Sequence, residues 1–178
     1  MYRRILICTD GSRLAQRAAR EGIELAASLG SSIVALLVTP PFEPPAGYES
    51  SPLAAQIERH ERDSKKAAAR CLGAIARDAE SLGVRCSTLH VGRFPPASTI
   101  VETATAERCD LIVMGSHGHG AVGQLFLGSV TTRVAATCAV PILIVRTPTR
   151  TGPLRSASTR RTRTTDGRRS RRNAGGAT

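Results

Sequence analysis

The sequence has no apolar run approaching the ~20 residues that a membrane-spanning helix requires, so no transmembrane helix is expected. It has no Gly-Lys-Ser or Gly-Lys-Thr, which excludes a Walker A phosphate loop. A Gly-x-Ser-x-Gly elbow is missing too, and without one the scattered Asp10, His117 and Ser129 give no ground for a hydrolase triad. The five cysteines are odd in number and lack metal-ligand spacing. Cys8, Cys71, Cys109 and Cys138 stand among apolar neighbours and read as small buried residues. The first residues, Met1-Tyr-Arg-Arg-Ile-Leu-Ile-Cys8, go straight into a strand pattern without a secretory apolar core or cleavage site. A reducing, cytoplasmic location is the expectation.

Positive charge is plentiful, but it is unevenly placed. Of the formal +11, the segment from Thr147 onward carries +8, from nine arginines against Asp166, which leaves +3 on the rest. After Thr147 the chain has one leucine and no aromatic residue, too little to build a core. Residues 148–178 are therefore expected to be a disordered, Arg-rich tail, and residues 1–147 one folded domain. Thr159–Arg163 and Arg168–Arg172 could bind nucleic acid or anionic lipid electrostatically; a solvated extension without that role is the preferred reading.

Strand and helix patterns alternate along the domain. Residues 2–8 read as a strand closed by the turn Thr9-Asp10-Gly11-Ser12. A helix follows with Leu14, Ala15, Ala18, Ala19, Gly22, Ile23, Ala26 and Leu29 on one face, stopped by Gly30. Ser32–Val38 is a second strand, followed by the proline-rich loop Pro40–Gly47. A long helix over Pro52–Leu82 turns Ile57, Ala68, Cys71, Leu72, Ile75, Ala79 and Leu82 inward and ends at Gly83. Then come a strand at Val84–Val91, a turn at Gly92–Pro96 with proline at the helix start, and a helix to about Arg108. A strand at 110–115, a glycine loop, a helix over 129–137 and a strand at 141–146 complete the domain. Strands alternating with helices, most of them apolar on both faces, predict a parallel sheet covered on both sides.

The glycine loop is the candidate binding site. It follows the buried-strand pattern Leu111–Met114, runs Gly115-Ser-His-Gly-His-Gly-Ala-Val-Gly123, and reaches Gly128-Ser129 ahead of the last helix. Ser129 is expected to cap that helix, leaving backbone N–H groups facing the loop, a recurring way to hold a phosphate. Gly118-x-Gly120-x-x-Gly123 matches the dinucleotide fingerprint literally. The helix does not follow at once, however, and the region about 20 residues on, Pro141–Val145, has no carboxylate.

Taken together, Gly115, Gly118, Gly128 and Ser129 are spaced as Gly, two residues, Gly, nine residues, Gly-Ser. They lie between Asp110-Leu-Ile-Val-Met114 and Val140-Pro-Ile-Leu-Ile-Val-Arg146, with Ile5-Leu-Ile-Cys-Thr-Asp-Gly-Ser12 at the other end of the domain. This arrangement resembles the ATP-binding, single-domain type of the universal stress protein family over about residues 1–147. The resemblance implies a Rossmann-like, adenine nucleotide alpha hydrolase-like fold with strand order 3-2-1-4-5 and a site at the switch between strands one and four. It also implies ATP as ligand, with Mg2+ held through the phosphates and not by protein side chains. The implied role is a stress-response regulator, not principally an enzyme, although slow hydrolysis or autophosphorylation belongs to the family's range. A stress protein that has lost nucleotide affinity and acts by protein contact is the alternative.

The nucleotide contacts carried over by resemblance are Thr9, Asp10, Val38, Met114, Gly115, Gly118, Gly128, Ser129, Val130 and Thr131, and the candidate site also includes His117 and His119. Gly115 and Gly118 are expected to allow close backbone approach and angles barred to other residues, and Ser129 and Thr131 to offer hydroxyls to an anion. Asp10 is read two ways, as a partner for ribose or base and as a turn residue ahead of the first helix. His119 stands where the family often has Arg or Lys, so tighter binding at lower pH is expected. Pairing of two copies through the strand 141–146 is a further expectation, since an apolar edge strand otherwise exposes unpaired backbone.

Overall fold

The structure is a computed structural model that describes residues 2–42, 53–118 and 127–146. His119, most of the proline-rich loop and the Arg-rich tail lie outside the described residues. In chain order the elements are β1 (Arg4–Thr9), α1 (Arg13–Leu29), β2 (Ser32–Thr39), α2 (Leu53–Ser81), β3 (Cys86–Gly92), α3 (Pro96–Ala106), β4 (Leu111–Gly115), α4 (Ser129–Thr137) and β5 (Ile142–Val145). The strands form one five-stranded sheet in the order β3-β2-β1-β4-β5, every pairing parallel. Ile5 aligns with Ile33 of β2 on one side and Leu111 of β4 on the other.

Strand alternation sends successive residues to opposite faces, and both faces are covered. Ile5, Ile7, Ile33, Ala35 and Leu37 pack with Ala18, Ile23 and Ala26 of α1 and Leu72, Ile75 and Ala79 of α2. Leu6, Cys8, Val34, Leu36, Ile112 and Met114 pack with Ile100 and Ala104 of α3 and Val134 of α4. Gly22 sets how closely α1 sits: a Cβ there would come within 2.9 Å of Ile7 Cδ1 and 3.3 Å of Val113 Cγ1. A larger side chain would push the helix off the sheet.

Several expectations shift. Leu82 is 52% exposed, not inward, because α2 ends at Ser81 and Leu82 already belongs to the turn. Gly83, at φ +70, donates to Glu80 O, and Val84 N donates to Ala79 O. Val84 is thus used to close the helix, which is why β3 starts at Cys86 and not at Val84. Ile57, Leu29, Cys71 and Cys138 are half-buried, with Cys71 and Cys138 each packed against one of the two apolar clusters. Cys8 and Cys109 are buried as expected, and burial pushes both thiols up, Cys109 to about 11.

Candidate site at the carboxyl ends of β1 and β4

β1 is the strand where order reverses: its neighbours are β2 and β4, so the connections leaving β1 and β4 diverge to opposite sides. A crevice opens at that point in such sheets. Here it holds a cavity of about 530 Å³, within the usual range for small-molecule sites. Its apolar part is made by Cys8 of β1, Leu36 and Val38 of β2, Met114 of β4, Ala15 of α1, and Pro96 and Ile100 of α3. Thr9, Asp10, His117, Ser129 and Thr131 bring the polar groups, with Gly115, Gly118, Gly128 and Val130 between them. Of the residues proposed from sequence, every described one lines this cavity.

The turn after β1 is built by its own side chains. Thr9 Oγ1 accepts from Gly11 N at 3.1 Å, and Asp10 Oδ1 accepts from Ser12 N at 3.0 Å. Ser12 Oγ in turn accepts from Ala15 N and caps α1. Gly11 supplies the left-handed bend at φ +82. Asp10 thus shapes the turn through one carboxylate oxygen and also lines the cavity.

The glycine side differs from expectation in three ways. First, Gly115 and Gly118 do not take left-handed angles; the positive-φ glycines among the described residues are Gly11, Gly30 and Gly83. Their role is space. A Cβ on Gly118 would run into Asp10 Oδ2, and one on Gly115 would meet Leu14 Cγ at 3.2 Å and His117 O at 3.3 Å. Second, Ser129 is the first helical residue, and the extended residue before it is Gly128, with no side-chain cap. The first bond of α4 runs from Thr132 N to Gly128 O, so the N–H groups of Ser129, Val130 and Thr131 precede the helical ladder. Third, Thr131 is buried and its hydroxyl donates to Gly115 O at 3.0 Å, so it ties α4 to β4 and is not an anion donor.

His117 is half-buried, and its Nδ1 lies 2.9 Å from Ser116 Oγ. Among the described residues no cluster of three or more His, Cys, Asp or Glu is placed to hold a metal. Sequence reasoning missed Cys8, Ala15, Leu36, Pro96 and Ile100. Cys8 and Leu36 were reachable from parity, since they share the face of Met114 and Val38. Pro96 and Ile100 arrive only through the packing of α3, for which the sequence has no signal beyond a helical apolar stripe.

The model of the universal stress protein family matches residues 1–146. The chain belongs to the universal stress protein family. A Thermus aquaticus relative, "Universal stress protein in QAH/OAS sulfhydrylase 3'region", is 38% identical over 151 residues, covering 82% of this chain and all of the relative. The solved structure of hypothetical protein MJ0577 superposes with a TM-score of 0.68 at 25% identity, covering 84% of this chain and 99% of that one. A universal stress protein solved in complex with cAMP superposes at TM-score 0.58 and 24% identity, covering 83% and 98%. The family, the strand order and the Rossmann-like architecture expected from the sequence thus all hold. No described helix is long and apolar enough to cross a membrane.

Proposed function

We propose that this universal stress protein binds an adenine nucleotide in the cavity between β1 and β4 and acts as a cytoplasmic stress-response regulator, not as an enzyme. The observation that carries the reading is the division of the cavity. One side is apolar, with Val38, Leu36 and Met114 able to sandwich a base, and the other is the uncapped start of α4, where three N–H groups and the helix dipole favour an anion. Asp10 also lines the cavity, and a carboxylate can accept from a ribose hydroxyl or an exocyclic amine. The complex of a structural neighbour with cAMP supports the same ligand class. ATP belongs to that class, with Mg2+ carried on its phosphates.

Calorimetric titration of ATP, with and without magnesium, and of AMP tests the reading, with Gly118→Val as comparison. A side chain at Gly118 displaces the Asp10 carboxylate, so binding is expected to weaken by about a hundredfold or more. No heat from the wild type at millimolar nucleotide would remove the ligand and leave a protein-contact role.

The proposal includes pairing with a second copy through β5. Among the described residues β5 is an edge strand, paired to β4 alone, and Leu143 on it is 39% exposed. Sedimentation equilibrium should show a dimer for the wild type and a monomer for Leu143→Glu; a wild-type monomer at tens of micromolar would refute it.

A further inference from the structure

We propose that Phe94, in the turn between β3 and α3, stacks on the base of the bound nucleotide and covers its solvent side, an assignment that rests on the adenine-nucleotide reading above. The ring acts as a one-residue lid on the apolar part of the cavity.

A single exposed apolar side chain is ordinary on a protein surface, so its position has to decide what it is for. Phe94 is 62% exposed, more than Leu82, Leu127, Leu143 or Tyr2. Aromatic residues are scarce in this chain, with three Phe and two Tyr, yet this one stands in water beside the cavity. Its backbone is held on both sides. Arg93 N donates to Thr39 O at 3.1 Å, and the Arg93 guanidinium reaches Glu102 of α3 at 2.6 Å. Pro95 O accepts from Ser98 Oγ at 3.1 Å and from Thr99 Oγ1 at 3.3 Å. Thr39 directly follows Val38, and Pro95 directly precedes Pro96, and both Val38 and Pro96 line the cavity. The turn is therefore strung between two residues of the apolar wall, with Phe94 carried on it.

The Cα atoms of Phe94 and Pro96 are at most about 7 Å apart, so a change of side-chain rotamer brings the ring over the mouth. An exposed side chain makes such a change in picoseconds to nanoseconds. Leu36, Val38 and Met114 meet a base through dispersion alone. An aromatic ring adds stacking on the π-face, which every base has. Phe94 thus strengthens the hold on the base without choosing among bases, and its contribution is the same whatever the number of phosphates. Folding does not depend on a ring this exposed, so replacing it changes binding and leaves stability unchanged.

The test is calorimetry on the full chain with AMP and with magnesium-free ATP, for the wild type, Phe94→Ala, Phe94→Leu and Phe94→Trp. Phe94→Ala and Phe94→Leu are expected to weaken both nucleotides by the same factor, roughly tenfold, at an unchanged urea midpoint. The aromatic replacement Phe94→Trp is expected to recover binding to within about threefold of the wild type. The chain has no tryptophan, so emission from Phe94→Trp reports this position alone, and saturating AMP should quench it. Wild-type affinity in Phe94→Leu overturns stacking and leaves an apolar contact. Wild-type affinity in Phe94→Ala, or emission that AMP does not change, overturns the lid and leaves the ring to a protein partner. If the wild type binds neither nucleotide at millimolar concentration, the nucleotide reading itself falls, and the assignment of Phe94 with it.

Discussion

The two ends of the sheet are made differently. At the amino end, three helices stop in the same way. α1 closes with Gly30 N to Ala27 O and Ser31 N to Ala26 O, α2 with Gly83 N to Glu80 O and Val84 N to Ala79 O, and α3 with Arg108 N to Thr105 O and Cys109 N to Ala104 O. Each places a left-handed residue at the corner, Gly30, Gly83 and Arg108. Asp110 then accepts from the N–H groups of Arg3 and Arg4, Arg4 pairs with Glu107, and Ser31 Oγ donates to Tyr2 O. At the carboxyl end, α3 and α4 both start without a side-chain cap, whereas Ser12 caps α1. The backbone donors that the amino end would have stitched together are left facing a cavity. Dense hydrogen bonding ties the first end together, whereas the second leaves backbone donors at the start of α4 outside the helical ladder.

The largest expected effect comes from breaking the open end. Gly118→Val should weaken nucleotide binding by about a hundredfold or more while leaving thermal unfolding nearly unchanged, because the clash is with a carboxylate on a turn and not with the core. A mutant that lost both equally would mean that the two ends are not separable.

The stitched end should give the opposite result. Asp110→Asn is expected to cost about 1 kcal/mol near neutral pH, since its acceptors serve partly exposed N–H groups, with no change in nucleotide affinity. Partial burial pulls the Asp110 pKa up, but the N–H groups of Arg4 and Arg3 outweigh it and hold it below the ordinary 3.8. A carboxyl depressed on folding stabilises above its unfolded pKa and loses that contribution as pH falls through the folded value. Wild-type stability should thus drop more steeply than that of Asp110→Asn below about pH 4, as read by urea unfolding at several pH values. Parallel pH profiles would assign the stabilisation elsewhere.

Legibility in the sequence followed the same division. The order of elements and the parallel sheet could be read because apolar runs are local signals, whereas the strand order and the meeting of two loops at the switch point came with the family resemblance. What glycine was for could not be read so easily. Gly115 and Gly118 were expected to need unusual angles, yet their need is for space beside Leu14 and Asp10, a contact between segments about a hundred residues apart. Ser129 was taken for a cap on type alone, whereas the chain arrives extended one residue earlier, at Gly128. Likewise Thr131 looked like an anion donor until its hydroxyl was found donating to Gly115 O. Periodicity reports burial well; it does not report which donor is already taken.

Arg108 is the place where the stitched end departs from its own rule, and it carries the smallest prediction. It holds the corner position of α3 at φ 52, where α1 and α2 have glycine at φ 66 and φ 70. A left-handed conformation costs a residue with a Cβ about 1–2 kcal/mol, whereas glycine costs about 0.5–1 kcal/mol in extra unfolded-state freedom. The first exceeds the second, and no ion pair of Arg108 among the described residues would be lost. Arg108→Gly should therefore stabilise the domain by about 0.5 kcal/mol, seen as a small rise in the urea midpoint at unchanged slope, with nucleotide affinity untouched. A loss of stability would show that the arginine side chain contributes there more than the strain of its backbone, and that the three corners at the amino end are not equivalent.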